Sequence, residues 1–153
     1  MAGERVNHVL GEVPEWVPVL APGGAAGAAV DRAAVEARAG ALELVAVRWP
    51  EPFPFDSRVA MLAATFAKQS GRAVAFSLAA MRQAFAAGRD LSEVDNVLIA
   101  AAACEIHPRA LLKGVELRMV AEDLDRASEA AAGLELPAVL DRDGRTLPRE
   151  RFL

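Results

Sequence analysis

Side chains that could carry out chemistry are few in this sequence, and its single thiol, Cys104, is the first of them. Cys104 lies in an apolar, alanine-rich stretch typical of a helix, with no cation nearby in sequence to lower its pKa. We therefore expect it to pack in the core as a small apolar side chain. One cysteine also excludes an internal disulfide and a CxxC pair within these 153 residues.

The histidines and the acidic residues do not suggest a metal centre. We expect none at His8, and His107 precedes Pro108 where a helix begins, so we expect His107 to cap that helix or to lie exposed. The acidic run that includes Glu122 and Asp125 is typical of a solvated helix face. The sequence therefore predicts no bound metal.

Composition and charge exclude several classes of function. A net charge of −4 provides no basic surface, so nucleic acid is not expected as a partner. No apolar run reaches the ~18 residues of a membrane span, and the first residues lack the pattern of a signal peptide. The expectation is a cytoplasmic protein without membrane contact, whose 54% apolar composition suits one globular domain.

The short apolar run 136–140, with Pro137 at its start, predicts a buried strand. Asp143-Gly144 suits a tight hairpin turn, and residues 145–147 can return as a second strand. Two readings of Pro137 stay open at this point. It is a proline at the first residue of a strand, or a cis proline that offers its neighbour's backbone to a ligand.

The central half of the chain predicts helices, with extended segments before it. Residues 15–20 read as an edge strand because of Pro18, and residues 42–47 as a further extended stretch. Three prolines within residues 50–54 exclude regular structure there. Helices are expected in the segments 4–12, 31–40, 57–71, 73–87, from 92 onward, and 108–133 with a break near Gly114.

Three stretches, in this order, resemble motifs of one thioredoxin-like superfamily. Residues 48–57 resemble the isomerase loop R-x-P-x-x-F-P-hydrophobic-Asn-Ser/Thr, and residues 88–92 resemble the turn G-x-D-I/L-S. Residues 136–139 resemble V-P-T-F, followed by the D-G turn at 143–144. From about residue 4 to residue 153, the chain is similar to the group of DsbA, the kappa-class glutathione transferases and the 2-hydroxychromene-2-carboxylate isomerases.

The resemblance implies an α/β fold: a thioredoxin-like domain with a large helical insertion and an incomplete sheet. Residues 1–55 and 134–153 would form the thioredoxin-like portion, and residues 56–133 the inserted helical domain. Family members begin with a strand and a loop bearing CxxC or serine, and that part would precede Glu4. No cysteine or serine precedes Ser57, so the catalytic residue is unknown.

By resemblance, Leu136 and Pro137 would bind the backbone of a thiol substrate, with Asp56 and Glu150 near the ligand. Glutathione would be the cofactor, and a small thiol or aromatic compound the substrate. Asp56 replaces an asparagine of the isomerases, and its charge would repel the carboxylates of glutathione. Ala138 replaces the usual threonine and removes a hydroxyl group.

Three functional hypotheses follow. The first is a DsbA-family protein related to thiol-disulfide oxidoreductases and glutathione-dependent isomerases, without its own nucleophile. The second is a non-catalytic binding or dimerisation module derived from that family. The third is a fragment of an active enzyme. Because the strand expected between residues 15–20 and 136–140 is missing, we also expect a rearranged sheet, a homodimer through strand edges or marginal stability.

Overall fold

In a computed structural model of the chain, the described residues are 15–21 and 30–148. About half of them are helical, in six helices. These are α1 (Arg32–Ala41), α2 (Arg58–Gln69), α3 (Ala73–Phe85), α4 (Val94–Ala102), α5 (Pro108–Val115) and α6 (Arg118–Ala130). The helix expected over residues 4–12 lies outside the described residues.

Helix ends follow local signals that the sequence carries. The Asp31 carboxylate accepts a hydrogen bond from the Ala34 N–H at 3.0 Å and so caps α1. His107 Nδ1 accepts from the Arg109 N–H at 3.2 Å, with Pro108 in the first turn of α5. This confirms the capping role expected of His107. The predicted break near Gly114 is also confirmed, since α5 ends at Val115 and α6 begins at Arg118.

The core is a helical bundle centred on α2, which contacts α3, α4, α5 and α6. Four alanines on α2 are buried, and small side chains allow the neighbouring helices to approach closely. Larger apolar side chains from the surrounding helices fill the space between them. The largest that are fully buried are Phe76, Val97, Leu111, Val120 and Leu124.

The predicted thioredoxin-like α/β fold is wrong. No sheet forms among the described residues, where the sole β-pairing is an isolated antiparallel bridge between Leu140 and Thr146. Residues 15–20 and 42–47, both expected to be extended strands, belong to no ladder. The tight turn does form, with Gly144 at φ +78° and the Leu147 N–H donating to the Val139 carbonyl at 2.8 Å.

The described residues contain no central strand with which residues 15–20 and 136–140 could pair. A lone hairpin is marginally stable, and three or more strands or a packed helix are needed to hold one in place. Pro18 has no N–H to donate, and the Leu20 N–H donates to Ser128 Oγ on α6 at 2.9 Å instead of to a strand. The apolar segments are therefore held by helices and turns.

The proline-rich segment docks on the end of α3. The Arg48 N–H donates to the Phe85 carbonyl at 2.7 Å, which satisfies an acceptor at a helix end that has no partner within its own helix. Pro50 is fully buried. The bonds preceding Pro52, Pro54 and Pro137 are cis. The bond before Pro137 is thus cis, as in the second of the two readings. Cis geometry by itself assigns no function.

Helices α2 to α6 lie within residues 56–133, the range expected for a helical insertion. The division of the chain into two domains stays a prediction. Among the described residues, no helix is both long and apolar enough to cross a membrane.

Candidate functional site

Asp56, the first residue that the resemblance places near a ligand, is exposed and performs a local structural role. Its carboxylate accepts a hydrogen bond from the Arg58 N–H, the first of α2, at 2.9 Å. That N–H has no acceptor within the helix, and a negative charge at a helix N-terminus is favourable.

A pair of substitutions at Asp56 tests this capping role. Asp56→Ala should lower the free energy of unfolding by about 1 kcal/mol, because the Arg58 N–H loses its acceptor. Asp56→Asn retains an acceptor oxygen and should stay within about 0.5 kcal/mol of the parent. Urea denaturation followed by circular dichroism measures both. An equal loss in the two variants would show that the charge, and not the hydrogen bond, is what matters.

The other residues chosen by resemblance, Leu136, Pro137 and Glu150, come near the C-terminal end of the sequence. Leu136 is half-buried and Pro137 is exposed, just before the hairpin turn. Glu150 lies outside the described residues. The binding role of these four residues stays a prediction.

Cys104 is half-buried at the end of α4 and packs against the core cluster, as expected. The structure adds a neighbour that sequence spacing did not suggest. Arg72 Nη1 donates to the Cys104 carbonyl at 2.6 Å. Burial raises the pKa of the Cys104 thiol, and the Arg72 charge opposes this rise only in part. A thiol with a raised pKa is a poor nucleophile near neutral pH, because little of it is thiolate.

Alkylation kinetics test the state of this thiol. Cys104 should react with iodoacetamide more slowly than N-acetylcysteine at pH 8, and its rate should keep rising at pH values where that of N-acetylcysteine has levelled off. Mass spectrometry follows the modification, with Cys104→Ser as the blank. A rate above that of N-acetylcysteine at pH 8 would instead indicate an activated thiol.

A groove beside residues 15–21 is a concave surface that could take a ligand. Its volume is about 470 Å³, within the usual range for ligand sites. One wall is formed by Val17 and Pro18, and the other walls come from α2 and α6. The helix residues that line it are Thr65, Lys68, Gln69, Asp123, Arg126, Ala127 and Ala130.

The charges at this groove are matched within the chain. Lys68 on α2 pairs with Glu15 at 2.8 Å, and Arg126 pairs with Asp123 on α6 at 3.0 Å. Thr65 Oγ1 donates to the Met61 carbonyl at 2.8 Å. The groove therefore has no excess charge with which to hold an ionic ligand, and its base is apolar at Ala127 and Ala130.

The backbone along the groove has unused hydrogen-bonding groups. The Leu20 N–H is bonded to Ser128 Oγ, which itself donates to the Leu124 carbonyl at 2.7 Å. Within the described part of the chain, the backbone groups of Val17 and Val19 make no hydrogen bond. The N–H groups of Val17 and Val19 are therefore open to a further hydrogen-bond partner.

Comparison with known proteins adds no relative. A scan against family models, a search of curated proteins and a search of solved structures each gave no significant match.

Residues 15–21 and 30–148 contain no group of three His, Cys, Asp or Glu side chains placed to hold a metal ion. Sequence reasoning missed the groove, because Val17 meets Thr65 and Ala127 only through the packing of segments far apart in the chain. The one available signal was Pro18, which marks residues 15–20 as an edge.

Proposed function

We propose that this chain is a non-catalytic binding module that captures an extended, uncharged polypeptide segment beside residues 15–20. The bound segment lies over the groove and contacts Ala127 and Ala130. The observation that carries the proposal is the pair of unbonded backbone groups at Val17, which lines the groove, and at Val19, two residues further along the same segment. Adding a strand to an exposed edge is a common mode of peptide recognition.

The internal ion pairs support an uncharged occupant. A charged ligand would have to compete with the contacts Lys68–Glu15 and Asp123–Arg126 or be buried next to them unpaired. A segment of small apolar and hydroxyl side chains avoids that cost. Its backbone would supply the affinity through hydrogen bonds, and the alanines of α6 would favour small side chains opposite them.

Oxidoreductase or isomerase activity stays a prediction from the resemblance. Cys104 is the one cysteine of the chain, and burial raises the pKa of its thiol, so it does not suit that chemistry. A homodimer through strand edges also stays a prediction, and sedimentation equilibrium tests it. A second copy would present its own uncharged run, 136–140, to the same groove.

Titration with a defined peptide tests the proposal. The probe is an acetylated, amidated hexapeptide of alternating valine and serine. Binding should shift the amide resonances of Val17 and Val19 in the ¹⁵N–¹H spectrum. Val19→Pro removes one donor and should weaken binding about fivefold or more, since a buried backbone hydrogen bond contributes about 1 kcal/mol or more. Val19→Ala, which keeps the N–H group, is the matched control and should bind as the parent does.

A second pair of variants tests the groove. Ala127→Trp fills it and should abolish peptide binding, whereas Ala132→Trp, on an exposed position beyond α6, should not. Binding that survives both Val19→Pro and Ala127→Trp would overturn the proposal. Disulfide reductase activity that disappears in Cys104→Ser would replace it with the oxidoreductase hypothesis.

A further inference from the structure

Arg32 on α1 lies against two aromatic rings of the proline-rich segment. Its guanidinium carbon is 5.1 Å from the centroid of the Trp49 ring and 5.5 Å from that of Phe53. Both distances are within the ~6 Å over which a cation is attracted to a ring face. Arg32 therefore occupies this place as a bound cation would.

The two rings form a corner of defined shape. The Trp49 and Phe53 centroids are 5.0 Å apart, with their planes inclined at 60°. Phe85 packs behind both rings, at 5.8 Å from Trp49 and 6.1 Å from Phe53. Glu36 Oε1 accepts a hydrogen bond from Trp49 Nε1 at 2.6 Å, so it holds the indole ring and adds a negative charge beside it. We call Trp49, Phe53 and Glu36 the aromatic corner.

Arg32 is held there by the rings and not by an ion pair. No carboxylate of the described residues lies within 4.0 Å of its guanidinium group. Helix α1 itself is weakly anchored, since Ala39 is its one buried residue. An exposed cation–ring contact contributes little, so an external cation can compete with Arg32 for the corner.

We propose that the aromatic corner is a binding site for the guanidinium group of an arginine-bearing ligand, and that Arg32 occupies it in the free chain. The occupant of the corner is itself a guanidinium group, which lies over both rings. Arginine suits such a site better than lysine, because its planar cation is weakly hydrated and stacks on aromatic faces. Arg32 thereby inhibits the site until a ligand displaces it.

Ligand binding after removal of Arg32 tests this site. In a Trp16→Phe background Trp49 is the only tryptophan, and its fluorescence reports on the corner. The probe is N-acetyl-arginine amide, with N-acetyl-citrulline amide as its uncharged counterpart. Arg32→Gln should bind the arginine probe about three- to sixfold more tightly than the parent, as the internal competitor is gone. Arg38→Gln makes the same charge change at an exposed position of α1 and should bind as the parent does.

Two further measurements decide the outcome. Adding Phe53→Leu to Arg32→Gln removes one wall and should abolish the gain. In the parent, high concentrations of the arginine probe should move the Arg32 Nε–Hε resonance towards its free position, which does not depend on any variant folding. Equal binding of the arginine and citrulline probes, or an Arg32 resonance that does not move, would overturn the proposal.

Discussion

Leu111→Ala should lower the free energy of unfolding by about 2–5 kcal/mol, the range measured for leucine truncation in protein cores. Leu111 on α5 is 1% exposed and belongs to the core cluster. Truncation removes apolar contacts and leaves a cavity, because closely packed helices relax only in part. Urea denaturation at 25 °C measures the loss.

The next residue supplies a control in the same helix. Leu112 is 39% exposed, so Leu112→Ala removes the same atoms from a site that water already reaches. Its loss should be below about 1 kcal/mol. Similar losses at positions 111 and 112 would contradict the orientation of α5 in the bundle. A loss at position 112 alone would mean that α5 is rotated and presents its other face to α2.

Gly114→Ala should lower the free energy of unfolding by about 2–3 kcal/mol, although alanine is the better helix former. A Cβ atom at position 114 would overlap three atoms of the Phe66 ring on α2. The ring is on a neighbouring packed helix, so relief requires moving α5 away from α2. Overpacking of this kind typically costs 1–3 kcal/mol or more.

Gly40 is the matched control for this substitution. It lies within α1 and has nothing within 4 Å of an added Cβ. Gly40→Ala should therefore stabilise the chain by about 0.5–1 kcal/mol. Adding Phe66→Leu to Gly114→Ala should recover part of the loss, and a double-mutant cycle gives the coupling energy. Additive effects at positions 66 and 114 would contradict the contact between α2 and α5.

Helix positions were predictable because their signals are local. A cap such as Asp31 or His107 acts on N–H groups within three residues, so the sequence alone identifies it. Gly114 likewise marks the break between α5 and α6. The packing reason for that glycine was not predictable, because Phe66 is 48 positions earlier and its approach depends on how two helices cross.

The sheet was predicted wrongly because strand pairing is not local. An alternating or apolar run predicts a strand only if a partner with matching backbone groups lies beside it. Residues 15–20 have the composition of an edge strand, but the Leu20 N–H donates its hydrogen bond to the Ser128 hydroxyl on α6. The resemblance to thioredoxin-like proteins led us to expect a central strand as the pairing partner, and the described residues do not contain one.

The sequence by itself thus determined the helices, their ends, the hairpin turn and the inert character expected of Cys104. Only the tertiary structure decided the absence of a sheet among the described residues, the groove at Val17 and the stacking of Arg32 on Trp49. The first group depends on interactions between near neighbours, whose geometry the backbone prescribes. The second depends on which distant surfaces meet when the alanine-rich helices pack, and no short-range pattern encodes that.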